Sequence, residues 1–507
     1  MPDLKEIFEA MHGPSAEDKA LIERAYHFAE GAHKDQKRFS GEPYLTHLTR
    51  VAVSLAELGM GPKTVSAGLL HDTIEDTGAA PETIEKEFGK DVLFLVEGVT
   101  KLGHLKYHGV ERHRESLRKL LVATGKDVRV LIIKLMDRLH NMRTLEFVRP
   151  EKRQRIALET LDIYAAIAHR LGIGVVRKEL EDLAFKYAYP EEFVEAEKLL
   201  TERSKETQAR LENMIKDLRK ALAKDEVTAF QTDYRVKGLW SLWQKLKRKG
   251  GDVAEVYDVA AIRIVVDDVP TCYRVLGLVH NLWQPLVGKI KDYIAFPKPN
   301  GYQSLHTTVF TGDGGIVEVQ IRTKQMHREA MYGIAAHVTY KEKTGGGPTG
   351  RGTSFDWIRS LIPGFRRAPQ EKEEGVVHYR APAAPEWLEN LSETGLGDPD
   401  FDTTLKTDIF SHRVFVFTPK GDVVDLPLAA SPVDFAYAIH SDLGNHISGA
   451  KVNGKMVSLD TVLHNGDIVE IQTRKSAHPT KKWLDFAKTT LARRHIRIAA
   501  EKEGKRS

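Results

Sequence analysis

The spacing of hydrophobic residues changes near residue 230, and this change constrains the fold more than any other feature. From about residue 15 to 200, apolar residues recur every three or four positions, as in DVRVLIIKLMDRLHNM and IALETLDIYAAIAHRLGI. That spacing is typical of amphipathic α-helices. After residue 230, the segments VAAIRIVV (259–266) and GIVEVQIRT (315–323) are rich in β-branched residues, which is typical of strands. The sequence therefore predicts an all-helical domain followed by a mixed α/β domain.

Other segments complete the predicted organisation. Residues 193–225 are charged and amphipathic, and we expect a connector or lid helix there. Residues 341–385 contain GGGP, RGTS, PGF and APAAP, the composition of a linker, and 408–473 predict a small β-rich domain. Because 507 residues exceed one core, roughly three domains are expected. The predicted boundaries are 1–195 (helical domain), 196–340 (α/β domain with its leading connector helix), 341–405 (linker), 406–474 (β-rich domain) and 475–507 (start of a helical domain).

Composition excludes several classes of protein. A hydrophobic content of 41% is too high for a disordered chain, and no apolar run is long enough to span a bilayer. The single cysteine, Cys272, excludes an internal disulfide framework and a cysteine-rich zinc site. These features predict a cytoplasmic protein that does not associate with a membrane. The net charge of +4 argues neither for nor against nucleic acid.

A first group of candidate residues lies in the helical domain, around LLHDTIED (69–76). If this stretch is helical, His71 aligns with Glu75, and Asp72 with Asp76. A solvated helix end would explain these eight residues alone, but RFSGEPYLTH (38–47) and KLMDRLHNMRT (134–144) add further candidates. Two imidazoles and two carboxylates suit a divalent first-row metal, which would also compensate for burying the charges. The added candidates are His47, Asp137 and Asn141.

A second group lies in the α/β domain. In GIVEVQIRT the alternation places Glu318, Gln320 and Arg322 on one face and the apolar residues on the other. Asp258 opens the other predicted strand, and two strand-borne carboxylates could share a Mg²⁺ ion. The turn in PKPNGYQSLH (297–306) would present Tyr302. A basic rim suited to a triphosphate surrounds them: Arg235, Lys237, Lys245, Lys291 and Lys298.

Together these motifs resemble the bifunctional RelA/SpoT-homologue (Rel) family. RFSGEPYLTH, LLHDTIEDT and KLMDRLHNMRTL resemble its hydrolase domain, while DYIAFPKPNGYQSLHTTV and EVQIRTKQMHREAMYGIAAHVTYK resemble its synthetase domain. The segment from VFVFTPKGDVVDLP to GDIVEIQT resembles its TGS domain. The resemblance implies an all-α HD-type phosphohydrolase domain, then a mixed α/β nucleotidyltransferase-like synthetase domain, then a small β-grasp TGS domain.

For the hydrolase, the resemblance implies Mn²⁺-dependent removal of the 3′-pyrophosphate of (p)ppGpp, which leaves GDP or GTP. Glu75 and Asp76 would position and activate the attacking water, and Asn141 would assist catalysis at the substrate. Arg38 would stack on the guanine, and Ser40 and Thr144 would also contact the substrate. The implied metal ligands are His47, His71, Asp72 and Asp137.

For the synthetase, the resemblance implies transfer of pyrophosphate from ATP to the 3′-hydroxyl of GDP or GTP. Asp258 would bind Mg²⁺, Glu318 would activate the hydroxyl or assist the metal, and Tyr302 would stack on the acceptor guanine. The implied ATP ligands are Arg235, Lys237, Ser241 and Lys245. Residues assigned near the acceptor or in the same site are Lys291, Lys298, Asn300, His306, Gln320 and Arg322.

The sequence also departs from the family. Tyr234-Arg235-Val236-Lys237-Gly238 stands where the family usually has Gly-Arg-Pro-Lys-His, and Met331 and Val338 replace common Glu and Trp residues. In the hydrolase half, Glu115-Ser116-Leu117-Arg118-Lys119 departs from a common Glu-Asn-Phe/Ile-Arg-Lys. In contrast, Lys289-Ile290-Lys291-Asp292 resembles the basic loop of bifunctional members. Two alternatives therefore stay open beside the bifunctional enzyme: a hydrolase with a weak or inactive synthetase half, and a tRNA- or ribosome-binding regulator with vestigial sites.

The TGS resemblance implies a contact with uncharged tRNA on the ribosome in longer members, for which His440 and His446 are the candidates. KKWLDFAKTTLARRHIRI resembles the start of the next helical domain. The zinc-binding and ACT-type domains of long members have no counterpart in the sequence, which fits either a shortened chain or a naturally short enzyme.

Overall fold

The computed structural model describes residues 4–103, 127–236, 238–248, 260–298, 300–312, 315–336, 413–419, 423–464, 466–474 and 476–504. The chain divides into two compact units, one formed by 1–106 with 127–351 and the other by 107–126 with 352–507. The predicted linker and the departures at 115–119 and Val338 lie outside the described residues. No helix among those described is both long and apolar enough to cross a membrane.

The first unit begins with the predicted all-helical part. Helices α3, α4 and α8, bounded below, pack on one another and bury apolar residues such as Val51, Leu69 and Ile132. A π-helical turn at Thr160–Tyr164 precedes α10. The helices are Leu4–Ala10 (α1), Ala16–Ala32 (α2), Leu45–Glu57 (α3), Pro62–Leu70 (α4), Thr73–Thr77 (α5), Pro81–Phe88 (α6), Lys90–Gly103 (α7), Val128–Arg143 (α8), Pro150–Glu159 (α9), Ala165–Arg170 (α10) and Gly174–Ala188 (α11).

The helix predicted through LLHDTIED is interrupted. Helix α4 ends at Leu70 and α5 begins at Thr73, with Asp72 at φ −98° and ψ −2° between them. The His71 ring nitrogen Nδ1 bonds to the Gly68 carbonyl oxygen at 2.8 Å, so a side chain joins the backbone pattern at the break. The predicted alignment of Asp72 with Asp76 survives, because the backbone bond from Asp76 N to Asp72 O is kept at 2.8 Å.

The second part of this unit is a five-stranded mixed sheet with helices packed on it. Its strand order is β1-β2-β5-β4-β3, in which β2 and β5 are parallel and the other neighbours antiparallel. The elements are Pro190–Lys224 (α12), Phe230–Val236 (β1), Leu239–Arg248 (α13), Ala260–Val266 (β2), Val269–Leu282 (α14), Lys291–Asp292 (β3), Leu305–Phe310 (β4), Ile316–Thr323 (β5) and Lys324–Tyr332 (α15). The predicted alternation of β5 is confirmed: Val317, Val319 and Ile321 enter the core.

Helix α12 is not only the connector or lid helix that the sequence predicted, because part of it belongs to the core of the sheet domain. It is 35 residues long, and five residues of its second half are buried in the core of the sheet domain. The apolar positions are few but fall at helical spacing, so they form one narrow stripe. Those residues are Leu211, Met214, Ile215, Leu218 and Leu222.

The second unit contains the predicted small β-rich domain. A two-stranded pair, β6-β7, and a three-stranded sheet of order β10-β8-β9 are joined by a parallel bridge between Phe417 and Ile468. A short 3-10 helix covers Lys481–Asp485. The elements are Arg413–Phe417 (β6), Val423–Pro427 (β7), Pro432–Ile439 (α16), Ser441–Asn445 (α17), Ile447–Val452 (β8), Lys455–Val457 (β9), Val469–Thr473 (β10) and Thr490–Gly504 (α18).

Helix α18, which the sequence suggested as the start of another domain, packs on α16 of the β-rich domain. Tyr437 of α16 shares a core with Leu491 and Ile496. The fully buried carboxylate of Asp434 accepts hydrogen bonds from Ser431 on one side and from the backbone N–H groups of Lys488 (2.8 Å) and Thr489 (2.7 Å) on the other. Asp434 therefore ties the segment before α18 to the domain.

We expect Asp434→Ala to release this segment. Hydrogen bonds to a buried charge contribute more than neutral ones, and their loss should destabilise the docked helix by about 3 kcal/mol. The open population then rises on the order of 100-fold, which tryptic cleavage at Arg493 and Arg494 would report. Asp460→Ala, at an exposed position of the same domain, is the matched control. An unchanged cleavage rate in Asp434→Ala would contradict this account.

Candidate active sites

Four side chains converge in the helical part of the first unit. His47 comes from α3, His71 and Asp72 from the break between α4 and α5, and Asp137 from α8. Ligand atoms of His47, His71 and Asp137 lie within 4.8 Å of one another, and all three residues are buried. Asp72 Oδ2 lies 3.0 Å from His71 Nε2 and 3.7 Å from His47 Nε2. These are the residues that the sequence predicted as metal ligands.

The chemistry of this group fits a divalent metal. The carbonyl oxygen of Gly68 can only accept, so His71 Nδ1 donates to it, and Nε2 is the ring nitrogen that faces the carboxylates. His71 Nε2 is buried, and it is paired with Asp72 Oδ2 at 3.0 Å without the geometry of a hydrogen bond. Burial lowers the pKa of His71, but the neighbouring charge of Asp72 outweighs it and raises that pKa to about 9. The carboxylates around His71 therefore favour a positive charge at this position.

Asp137 is held by Lys134, which the sequence did not single out, and by Asn141, which it did. Lys134 Nζ donates to Asp137 Oδ2 at 2.7 Å, and Asn141 Nδ2 donates to Oδ1 at 2.5 Å. Burial raises the pKa of Asp137, but the positive charge of Lys134 outweighs it and keeps that pKa well below its usual range. His140 lies 2.8 Å from His47, Nδ1 to Nδ1. Both missed residues lie three positions from Asp137 on α8, so helical spacing could have found them.

Tyr44 is another residue that the sequence analysis missed. Its hydroxyl oxygen lies 2.8 Å from Asp72 Oδ2 and 3.0 Å from Asp76 Oδ2, so it bridges a predicted metal ligand and a predicted catalytic carboxylate. Its ring stacks on His33 with centroids 4.9 Å apart. The signal was its place in RFSGEPYLTH, three residues before His47.

Two of the predicted substrate residues, Arg38 and Thr144, contact each other next to Asn141, which bonds to Asp137. Arg38 donates to Asn141 Oδ1 at 2.8 Å and to Thr144 Oγ1 at 3.1 Å. Ser40 lies in the same turn as Arg38 and donates to Glu42 at 3.2 Å. Glu75 and Asp76 are exposed on α5, and Asp76 is linked to Asp72 through the Tyr44 hydroxyl.

In the sheet domain, three side chains form a hydrogen-bonded chain. Tyr302 OH lies 2.8 Å from His306 Nε2, and His306 Nδ1 lies 2.8 Å from Glu318 Oε1. Burial lowers the pKa of His306 despite the neighbouring carboxylate, so the ring is neutral near pH 7. A neutral ring donates from Nδ1 to Glu318 and accepts from Tyr302 at Nε2. The chain therefore orients a carboxylate beside an aromatic ring.

Basic residues lie around this chain. Lys298 Nζ lies 4.6 Å from the ring centroid of Tyr293 and 5.1 Å from that of Tyr302. Burial, with the charges of Lys291 and Arg177, lowers the pKa of Lys298 to about 8. Lys291 is exposed on β3 and pairs with His306 across the strands.

The remaining polar residues of β5 are more buried than a solvated face would be. Gln320 and Arg322 are 9% and 2% exposed, and an Arg322 guanidinium nitrogen donates to His327 Nδ1 at 3.0 Å. Arg263, missed by the sequence analysis, pairs with Gln320 on the adjacent strand and is buried, and its Nε has no hydrogen-bond partner among the described groups. Its position in VAAIRIVV was the available signal. The alternation of the strand places Arg263 on the same face as Ala261, and Ala261 pairs with Glu318 on the adjacent strand.

The structure describes the side chains of two of the four predicted ATP ligands, Ser241 and Lys245. Ser241 and Lys245 lie one turn apart on α13, and both are half-buried. Arg235 belongs to β1, but its side chain, together with Lys237 and Asp258, lies outside the described residues. Gly238, where the family usually has His, faces Asp182: a Cβ there would lie 2.7 Å from both carboxylate oxygens. Asn300 donates from Nδ2 to the His169 carbonyl oxygen at 3.1 Å.

Three family models match the sequence in the order of these domains. The model of HD domains matches residues 25–174, that of a region found in RelA / SpoT proteins matches 234–345, and that of TGS domains matches 414–473. The fold and the sites thus define a multidomain protein with an HD domain, a RelA/SpoT-type domain with a mixed sheet and a TGS domain, and the predicted fold class is confirmed.

Known proteins place the chain more narrowly. It is 44% identical over 501 residues to a guanosine-3′,5′-bis(diphosphate) 3′-pyrophosphohydrolase of Aquifex aeolicus, and 44% identical over 527 residues to a GTP pyrophosphokinase of Streptomyces coelicolor. It is 42% identical over 494 residues to a bifunctional (p)ppGpp synthase/hydrolase RelA of Mycobacterium tuberculosis. The alignments include 99%, 99% and 96% of this chain but 67%, 58% and 63% of the respective relatives. The chain belongs to the RelA/SpoT family, and it spans about three-fifths to two-thirds of these relatives' lengths.

Proposed function

We propose that the chain is a bifunctional alarmone enzyme. One activity hydrolyses the 3′-pyrophosphate of (p)ppGpp with Mn²⁺, which yields GDP or GTP and pyrophosphate. The other transfers pyrophosphate from ATP to the 3′-hydroxyl of GDP or GTP with Mg²⁺, which yields AMP and (p)ppGpp. The observation that carries the proposal is the group of buried His47, His71 and Asp137, with Asp72 beside it, in the same unit as the Tyr302–His306–Glu318 chain.

In the hydrolase site, one set of residues would hold the metal, and a second set orients the water and the substrate. His47, His71, Asp72 and Asp137 would hold one Mn²⁺, which when bound polarises a phosphoryl oxygen and lowers the pKa of water. Asp76, linked to Asp72 through the Tyr44 hydroxyl, orients the attacking water and with Glu75 accepts its proton. Arg38 stacks on the guanine, and its hydrogen bonds to Asn141 and Thr144 support this role because they hold the guanidinium.

In the synthetase site, positioning and charge neutralisation supply most of the catalysis. Glu318, oriented by the N–H of His306, accepts the proton of the acceptor 3′-hydroxyl. Tyr302 stacks on the acceptor guanine, and Lys298 beside it neutralises phosphate charge. Asp258 with Glu318 would hold Mg²⁺, and Arg235, Lys237, Ser241 and Lys245 bind ATP; Arg263 joins them because its buried guanidinium lies on the same face as Glu318.

A second candidate is a hydrolase whose synthetase half is weak. The observation in its favour is the altered turn at Gly238, where Asp182 lies against the position of the usual family side chain.

The family resemblance also gives tRNA as a partner of the TGS domain. The candidates His440 and His446 flank α17, and both contact Asp442. His440 Nδ1 accepts from the backbone N–H of Asp442, and His446 Nδ1 lies 3.1 Å from the Asp442 carboxylate.

The test of the proposal uses two reactions with the purified chain. One contains ppGpp and Mn²⁺, the other ATP, GDP and Mg²⁺, and the products are separated by anion exchange. Pyrophosphate in the first and ppGpp in the second establish the bifunctional enzyme. Hydrolysis alone supports the second candidate, and no product in either reaction overturns both.

The pH dependence of synthesis provides a further check. Lys298 is protonated below about pH 8 and neutral above it, and only the protonated form neutralises phosphate. We therefore expect kcat/KM for GDP to fall about tenfold per pH unit well above pH 8. Lys298→Arg keeps its charge and should move this decline to higher pH. A decline that stays in place in Lys298→Arg would assign it to another group.

A further inference from the structure

Helix α11 and the 169–174 turn, which runs from the last residues of α10 to the first residue of α11, belong to the helical part of the first unit, yet both contact the sheet domain. Helix α11 packs on α13 and α15. Its Phe185 ring lies 5.3 and 5.4 Å from the rings of Trp240 and Trp243 on α13. The last helix of the helical part therefore also packs on two helices of the sheet domain.

On the ATP side, Asp182 of α11 is fitted to the turn between β1 and α13. Its Oδ1 accepts from the backbone N–H of Trp240 at 3.2 Å, and its carboxylate lies where a side chain on Gly238 would begin. This turn contains Lys237 and leads into Ser241, two of the residues proposed for ATP. The position of the ATP turn thus depends on a residue outside the sheet domain.

On the acceptor side, the 169–174 turn contacts the loop 297–302. The His169 carbonyl oxygen accepts from Asn300 Nδ2 at 3.1 Å, and Asn300 Oδ1 accepts from the backbone N–H of Tyr302 at 3.3 Å. A guanidinium nitrogen of Arg177 on α11 lies 2.8 Å from His169 Nδ1, which fixes that residue in turn. The amide of Asn300 is thus used between protein groups, next to the ring proposed to stack on guanine.

Two glycines permit this close approach. Gly172 has φ +71°, and a Cβ on it would lie 3.2 Å from the Asn300 carbonyl oxygen. Gly333, at φ +52°, faces the Leu171 carbonyl oxygen so closely that a Cβ would overlap it, while Ile334 N donates to the same oxygen at 3.0 Å. Both glycines combine a left-handed conformation with a backbone contact, which other residues do not tolerate.

We propose that α11 and the 169–174 turn are positioning elements of the synthetase site, in which Asp182 holds the ATP turn and the 169–174 turn holds the acceptor loop. The inference rests on the proposed function and assigns a role in synthesis to residues of the hydrolase fold. Surface loops are otherwise the mobile parts of a fold, and a displacement of about 1 Å is enough to impair a transfer reaction.

Two variants separate the two contacts. Asp182→Ala removes the acceptor for Trp240 N, and we expect the KM for ATP and the Kd of a non-hydrolysable ATP analogue to rise about tenfold. Asp182→Asn keeps an acceptor oxygen and should restore most of the affinity. Gly172→Ala strains the other contact and should raise the KM and Kd for GDP about tenfold while ATP binding is kept. Lys186→Ala, at an exposed position of α11, should change neither.

Mn²⁺-dependent hydrolysis of ppGpp in the same samples reports on the integrity of the helical fold. The inference is supported if each variant weakens its own nucleotide and hydrolysis changes less than about twofold, since a general structural defect would weaken both nucleotides and hydrolysis together. Unchanged constants, or equal weakening of both nucleotides by both variants, would overturn it. If the wild-type chain binds both nucleotides without forming product, the proposed synthetase activity is wrong, and the binding constants still decide this inference. If it binds neither, both fail.

Discussion

Asp137→Asn should reduce Mn²⁺-dependent hydrolysis of ppGpp by about 10³-fold and leave synthesis of ppGpp from ATP and GDP within twofold of wild type. Asp137 is the buried carboxylate at the centre of the metal group, 3.4 Å from His47 Nε2. An amide keeps the shape of the side chain but removes the negative charge that a divalent cation needs. The substitution also leaves the ammonium of Lys134, now 2.7 Å from Asp137 Oδ2, without its counter-charge.

Metal binding itself is the more direct measurement for this variant. Titration with Mn²⁺, followed by electron paramagnetic resonance, should show a weakened site in Asp137→Asn and a normal site in Asp91→Asn. Asp91 is a suitable control because its carboxylate forms an exposed ion pair with Lys63 at 2.6 Å, away from the metal group. Retained hydrolysis in Asp137→Asn would mean that the metal group of the helical domain is not the hydrolase centre.

Glu318→Gln should lower synthesis of ppGpp by about 10³-fold and leave hydrolysis unchanged, because an amide neither accepts the proton of the acceptor hydroxyl nor holds a metal. The variant keeps one oxygen for the N–H of His306, so the Tyr302–His306 part of the chain is retained. The loss should therefore appear in kcat more than in the KM for GDP.

The control for Glu318→Gln is Glu212→Gln, an exposed position on α12 whose carboxylate accepts from Gln208 at 3.0 Å. Glu212→Gln should retain both activities. Synthesis at the wild-type rate in Glu318→Gln would exclude Glu318 as the base and return attention to the other carboxylate predicted for the site, Asp258. Because each active-site variant spares the other reaction, every protein preparation carries its own measure of correct folding.

The sequence alone determined the order and type of the domains and the four metal-binding candidates. Hydrophobic spacing at 3.6 and 2.0 residues is a local property, so the helices α3 and α8 and the face of β5 with Glu318 could be predicted without tertiary contacts. The chemistry of His, Asp and Glu is equally local, and the motifs around His47, His71 and Asp137 were sufficient to suggest a metal. The roles proposed for the site residues, the metal ligands and the ATP residues included, remain predictions.

Only the tertiary structure decided which residues support these groups. Tyr44 lies 2.8 Å from Asp72, and Arg263 is buried beside Gln320, although neither residue stands out in the sequence. Lys134 and His140 share helix α8 with Asp137, but the contact of His140 with His47 depends on the packing of α3 on α8. Three further features also depend on the folded chain: the break at His71, the burial of one stripe of α12 and the docking of α18 through Asp434. Each depends on a partner that is distant in the sequence, or on a side chain that competes with the backbone for hydrogen bonds. The local spacing of apolar residues does not specify such partners. Composition and periodicity thus indicated the domains and their chemistry, whereas the contacts of α11 with the turn before α13, and of the 169–174 turn with the loop 297–302, are a property of the folded chain.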